Sequence, residues 1–173
     1  MRTKKRFDKR GQEVLGISFG MIFSIFLIIF FILIAFIVIK EFLHARDCAE
    51  IAFFIDKFEI DVKKTWNSQI DSHTFSSNLP SGIKYVCFSD VSIPFKGEFQ
   101  EIGNDLGLYK GKNANLFFYP TGKSCELPYH NIPNLDIENI ISRENPNCIE
   151  VKKGRIEIKI EKDLNDKFVN VVN

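Results

Sequence analysis

From Val14 to Ile39 the chain runs through 26 consecutive residues without a charge, dominated by Ile, Phe and Leu and bounded by Glu13 and Lys40. A helix rising 1.5 Å per residue would span roughly 39 Å over that run, against a bilayer hydrocarbon core of about 30 Å. The pattern therefore predicts a transmembrane helix. A cleaved secretory leader has an apolar region of only about 7 to 15 residues ending at a small-x-small site. Here the run closes on FIVIKEFLHARDC, which offers no A-x-A site, and Asp47 before Cys48 does not suit a lipoprotein cleavage box. Hydrophobicity on every face over such a length is also rare for a core helix in a soluble chain of this size.

After Ile39 the pattern becomes amphipathic with no Gly or Pro to break it. Cys48, Ile51, Ile55, Phe58, Val62 and Trp66 recur at spacings of three or four, with Asp56, Lys57, Glu59, Lys63 and Lys64 between them. This spacing predicts one helix continuing out of the membrane and ending before Asn67 and Ser68. Beyond Pro80 and Gly82 the period becomes strand-like, at 83 to 89, 114 to 119, 148 to 151 and 155 to 161. The last two flank Lys152-Lys153-Gly154, which reads as a hairpin link. In the final strand Ile156, Ile158 and Ile160 alternate with Arg155, Glu157, Lys159 and Glu161, so one sheet face is expected to be buried, with the juxtamembrane helix as its cover. The C-terminal KFVNVV is an expected edge strand.

The fold class expected is α+β: a long N-terminal transmembrane helix continuing into an amphipathic helix that packs on a small antiparallel sheet. The segments are a basic leader at 1–13, the membrane span at 14–39, the juxtamembrane helix at 40–69 and a β-rich domain at 70–173. Two polar stretches, 90 to 113 and 120 to 147, are long for structureless loops in a compact domain, and a short helix over LDIENIIS would order the second. They are the expected contact surfaces.

Charge adds an orientation. Arg2, Lys4, Lys5, Arg6, Lys9 and Arg10 precede the span, and only Lys40, Arg46 and Lys57 follow it over a similar distance. The excess of basic residues places the N-terminus in the cytoplasm and everything from about Lys40 outside. Residues 40 to 173 carry 17 basic and 20 acidic residues, a formal −3, which gives nucleic acid no basic surface to bind. Cys48, Cys87, Cys125 and Cys148 all lie beyond the span and are even in number, so two disulfides are expected on the oxidising side. A zinc site would more often present C-x2-4-C pairs. Of the three possible connectivities, Cys48 with Cys87 and Cys125 with Cys148 would join neighbouring elements. No N-x-S/T sequon is present.

No catalytic motif is present: G-x-S-x-G, the P-loop, H-E-x-x-H and C-x-x-C are all missing. His44 and Cys48, four apart on a helix, share a face and form a conceivable metal pair, but an interfacial histidine beside a disulfide cysteine is the plainer expectation. His73 and His130 sit in no motif, Trp66 is expected in the core, and Tyr109, Lys110 and Lys112 belong to a solvated loop. No catalytic residue, metal or cofactor is expected, and an enzyme is the least favoured class. In the membrane, Gly16, Gly20 and Ser24 lie on one helix face, where small residues allow close packing with another helix. The expected partners are thus the lipid bilayer and either a second copy of the chain or other membrane helices.

A basic leader ending in Gly11, followed by Gln12 and a hydrophobic helix that runs on into an amphipathic one, resembles archaeal type IV pilin-like proteins with a class III signal. It also resembles small single-pass archaeal membrane proteins with a QE-x-x-x-ISFGMIFS-like start. The pilin resemblance implies a membrane peptidase cutting between Gly11 and Gln12, mature N-termini packed as a filament core, and a small β-rich head with disulfides. Counting from Gln12, the fifth residue is Gly16 where that family favours Glu, and the third is Val14 where it often has Ser. The leader is therefore expected to be retained, as the permanent anchor of a protein with a surface, assembly or binding role. A processed filament subunit and a membrane-anchored enzyme are the two alternatives.

The charge asymmetry generates a direct test. Protease added to intact cells is expected to degrade residues 47 to 173 and leave the leader untouched; an outer domain that survives while the leader is cut reverses the orientation.

Overall fold

The computed structural model describes residues 19 to 172. Gly11, Gln12 and Gly16 lie outside the described residues. The chain divides into two compact units with the boundary between Leu43 and His44.

One helix, α1, runs from Phe19 to Asn67. Its early part contains an 18-residue window, none of it buried, that is long and apolar enough to cross a membrane. Phe31, Phe36 and Ile37 all stand exposed there. Ser24 returns its hydroxyl to the Gly20 carbonyl at 2.8 Å, so its polar group is satisfied within its own helix.

In the second unit the stripe on α1 is Ile51, Phe54, Ile55, Phe58 and Val62, all buried. Trp66, expected to extend this stripe, is 39% exposed, and its indole N–H donates to the Lys167 carbonyl at 3.1 Å. Buried Thr65 takes the inward position one residue earlier. The stripe packs on two antiparallel sheets. The first has the order β1(Asp71–Asn78), β6(Arg155–Lys162), β7(Asn170–Val172). The second has the order β4(Tyr129–His130), β3(Leu116–Tyr119), β2(Tyr85–Phe88), β5(Asn147–Glu150). The rings of Phe54 and Phe58 join them. Phe54 meets Phe75 of β1 at 5.7 Å and Phe118 of β3 at 5.5 Å, and Phe58 meets Phe75 at 5.1 Å and Phe88 of β2 at 5.9 Å. Edge-to-face and tilted contacts at these separations are the favourable aromatic geometries.

The two sheets differ in burial. Strand β6 alternates as expected, with Ile156, Ile158 and Ile160 inside and Arg155, Glu157 and Lys159 exposed. The β2-β3 sheet is covered on both faces. Val86, Phe88, Leu116, Phe118 and Ile149 turn toward α1, while Cys87, Phe117 and Cys148 belong to a second core with Val91 and with Ile102 and Leu106 of α2(Gln100–Leu106). That helix orders the first polar stretch. The second is ordered by α3(Ile137–Ile140), where the Asp136 carboxylate accepts from the Asn139 backbone N–H at 3.1 Å, satisfying an orphan donor of the first turn.

Two expectations are corrected. Strands β5 and β6 do not form a hairpin: β5 pairs with β2 and β6 with β1 and β7. Lys152 and Arg155 still exchange backbone hydrogen bonds at 2.9 and 3.0 Å, and Lys153 and Gly154 have φ of 53° and 75°, the paired positive φ of a type I′ turn. The turn is a corner between sheets, held by Leu79 N–H donating to the Gly154 carbonyl at 2.9 Å. The disulfides join Cys48 to Cys125 and Cys87 to Cys148, and neither expected pair forms. Cys87 and Cys148 lie opposite each other on β2 and β5, a register that no sequence separation discloses. By the loop-entropy argument, closing separations of 77 and 61 residues stabilises the fold by about 4 kcal/mol each.

Phe58 has no exposed surface and touches three other rings. Phe58→Ala is expected to cost about 3 to 5 kcal/mol in chemical denaturation of the detergent-solubilised chain. Ile60→Ala, two residues on but 59% exposed, is expected to stay within about 0.5 kcal/mol.

Candidate functional site

Two groups of chemistry-bearing side chains assemble in the second unit. The first borders an open groove of about 880 Å³. Helix α1 contributes His44, Asp47 and Cys48, which fall on one face because they stand three and four residues apart. Across the groove, a short 3-10 turn, Thr121–Lys123, is followed by Ser124, whose hydroxyl donates to the Thr121 carbonyl at 2.6 Å. Cys125 then adopts a φ of +57°, a conformation uncommon for a residue with a Cβ, and the Leu127 N–H closes the turn on the Ser124 carbonyl at 3.0 Å. This turn delivers Cys125 to Cys48. His44 Nε2 stands 3.7 Å from Cys48 Sγ, and the donor atoms of His44, Cys48 and Cys125 all lie within 4.8 Å of one another. The disulfide between them is half-buried, whereas the Cys87–Cys148 pair is almost wholly enclosed, at 0% and 4% exposure.

The second group ties the end of α1 to β1. His73 Nε2 meets Asp61 Oδ2 at 2.8 Å and its Nδ1 meets Asp71 Oδ1 at 3.3 Å. The Thr65 hydroxyl donates to the other oxygen of Asp71 at 3.1 Å. The bond to Asp61 raises the His73 pKa above its ordinary value; partial burial opposes this, and the Asp61 charge and the bond to Asp71 reinforce it. Asp71 is pushed up by burial, but the hydrogen bonds from Thr65 and His73, with the charges of His73 and Lys64, outweigh that and hold its carboxyl below the usual value. Both ring nitrogens face carboxylates, so neither is left to accept a proton from a substrate. The Thr65 hydroxyl is directed at a carboxylate rather than at the imidazole. The arrangement ties helix to strand through hydrogen bonds and charge.

The other residues singled out by sequence are dispersed. His130 Nε2 stands 3.5 Å from Glu59. Tyr109 packs on Tyr129 at 5.1 Å as part of the second core, while Lys110 and Lys112 are exposed. Gly20 and Ser24 are exposed on the apolar part of α1. Sequence reasoning paired His44 with Cys48 but did not reach Cys125, 77 residues away, and it passed over the Asp61, Thr65 and Asp71 partners of His73. The polar string DSHTFSSN carries one hydrophobic residue, Phe75, and so gave little sign of a strand.

The fold places the chain among α+β proteins built on one long helix whose N-terminal part is apolar and unburied. No protein family, curated protein or solved structure matches the chain.

The tie has a pH signature of known sign. Because the folded pKa of His73 is raised, its stabilisation is complete below the ordinary value of 6.5 and is lost as pH rises through the raised value. Because that of Asp71 is lowered, its stabilisation is present above 3.8 and is lost as pH falls through the lowered value. In thermal melts of wild type and His73→Gln, the wild-type advantage is expected to be greatest between those two values and to shrink as pH rises beyond the histidine range.

Proposed function

We propose that the chain is a single-pass membrane protein with a cytoplasmic N-terminus, and that its second unit is an extracytoplasmic head with a surface, assembly or binding role and no catalysis of its own. The observation that carries this reading is the double use of α1. The helix is apolar and unburied over a length sufficient for a bilayer, and further along it supplies Ile51, Phe54, Ile55, Phe58 and Val62 to the core of the disulfide-stapled unit. A head whose core is built on its own anchor helix is tethered to the membrane by its own backbone. The basic residues ahead of the span support the orientation, each contributing about 1 kcal/mol of attraction to anionic lipid, and the two disulfides fit an oxidising compartment.

Partners of the head would meet exposed apolar side chains, among them Phe53 and Ile60 on α1 and Leu108 at the end of the α2 segment, 63%, 59% and 85% exposed. In the membrane, the small residues Gly20 and Ser24 on the apolar part of α1 suit packing against a second helix of the same kind, and Gly16 continues their four-residue spacing in the sequence. The unbroken course of α1 into a β-rich head is also what a processed pilin-like subunit would use. A mature chain beginning at Gln12, found by N-terminal mass analysis, would favour that second reading.

Assembly is tested by crosslinking in native membranes at single cysteine-reactive or amine-reactive sites. Dimers or higher species are expected; monomers alone, at crosslinker concentrations that capture a known membrane dimer, remove the assembly role and leave binding to other molecules.

A further inference from the structure

We propose that the Cys48–Cys125 disulfide is exchangeable, and that its reduced form, with His44, is a binding site for a thiophilic divalent cation such as zinc. The proposal concerns chemistry separate from the anchoring and assembly role and does not depend on it.

Three observations support it. First, the disulfides differ in access. Cys87 and Cys148 sit in the second core at 0% and 4% exposure, while Cys48 and Cys125 are half-buried on the wall of an open groove. Exchange requires a thiolate to reach a sulfur, so access selects the Cys48–Cys125 bond. Second, the donor set is that of a zinc site: two sulfurs and an imidazole nitrogen, with all three atoms within 4.8 Å of one another. Third, one of the spacings a metal requires is already present. A tetrahedral ion with bonds of about 2.3 Å to sulfur and about 2.05 Å to nitrogen holds S and N roughly 3.6 Å apart and two sulfurs roughly 3.8 Å apart. His44 Nε2 and Cys48 Sγ already stand at 3.7 Å. On reduction the two sulfurs are free to separate by side-chain rotation, their Cα atoms standing 5.7 Å apart. Asp47 and Glu126 line the same groove and place negative charge beside a dication, and the opening leaves the fourth coordination position to water.

The steps balance. An external dithiol transfers two electrons and two protons to the disulfide, breaking the S–S bond, giving the Cys48 and Cys125 thiols and becoming a cyclic disulfide itself. The cation then displaces both thiol protons to solvent and binds two thiolates and the neutral imidazole, so two protons leave for one dication gained and the net charge of the site is unchanged. In the reverse direction an external disulfide accepts the two electrons, becoming its dithiol as the Cys48–Cys125 bond re-forms, and the ion, left without its thiolates, is released to solvent. The groove is thus a site with two exclusive states, bonded and metal-free or reduced and metal-loaded.

The experiment uses the full chain in detergent. Limiting dithiol followed by alkylation and peptide mapping is expected to label Cys48 and Cys125 well before Cys87 and Cys148. Cobalt(II) added to the partly reduced chain is expected to give a thiolate-to-metal charge-transfer band and tetrahedral visible bands at one equivalent, both abolished by zinc. His44→Ala leaves all four cysteines in place, so it forms both disulfides, and it is expected to weaken cobalt binding by at least about tenfold. Wild-type chain alkylated at Cys48 and Cys125 after folding is expected to give no band and serves in place of cysteine variants that fail to fold. The proposal is overturned by equal labelling of the two pairs, by a reduced chain with native circular dichroism and no charge-transfer band, or by cobalt affinity unchanged in His44→Ala.

Discussion

Everything in the second unit depends on the wedge formed by Phe54 and Phe58 of α1. The two rings lie stacked, 5.7 Å apart with an interplanar angle of 11°, and reach Phe75 on one sheet and Phe118 and Phe88 on the other. Neither sheet has a complete core without them. The three-stranded sheet buries a single face, and the inner face of the four-stranded sheet would otherwise leave Val86, Phe88 and Phe118 in water. Burial of side chains this large contributes roughly 1.5 to 3 kcal/mol each, and it also fixes which face of α1 points inward. The aromatic pair thus sets which face of the helix turns to the two sheets.

Polar and covalent ties secure the periphery of that core. The Asp61–His73–Asp71–Thr65 group joins the last turns of α1 to the first strand. Lys162 Nζ donates to the carbonyls of Trp66 and Ser68, both at 2.8 Å, capping the helix end with a cation where the dipole favours one. At the opposite end of the same helical segment, the Cys48–Cys125 bond fastens the loop after β3. Asn145, fully buried, accepts from the Ser89 hydroxyl at 2.8 Å and donates to the Asp90 carbonyl at 2.9 Å, so the long connection before β5 is held to the strand end it passes. Polar groups in these positions are satisfied by the protein itself, as burial demands.

The two disulfides divide the labour by environment. Cys87–Cys148 crosses adjacent strands within the second core, at 0% and 4% exposure, and staples β2 to β5. Cys48–Cys125 joins helix to loop beside an imidazole and two carboxylates in an open groove, where access makes exchange and ligation chemically open to it. The same bond type thus carries different chemistry because the packing around it differs.

The sequence by itself determined the features that rest on local periodicity. These are the apolar run of α1, its continuation as an amphipathic helix, the alternation of β6 and the short strands around Val86, Phe117 and Ile149. Each follows from where consecutive side chains must point on a helix or strand. Tertiary structure decided the rest. Strand β1 exists because eight polar-rich residues find a full antiparallel partner in β6, not because of their own pattern. The turn at Lys153 and Gly154 has hairpin chemistry, yet it joins two sheets, because β5 is held by β2 and β6 by β1, pairings set by residues far along the chain. Disulfide connectivity follows from the register of β2 with β5 and from the left-handed turn at Cys125. For the same reason the candidate site was only half legible: His44 and Cys48 are neighbours on one helix, whereas Cys125 reaches them from 77 residues away, a distance that only the packed fold closes.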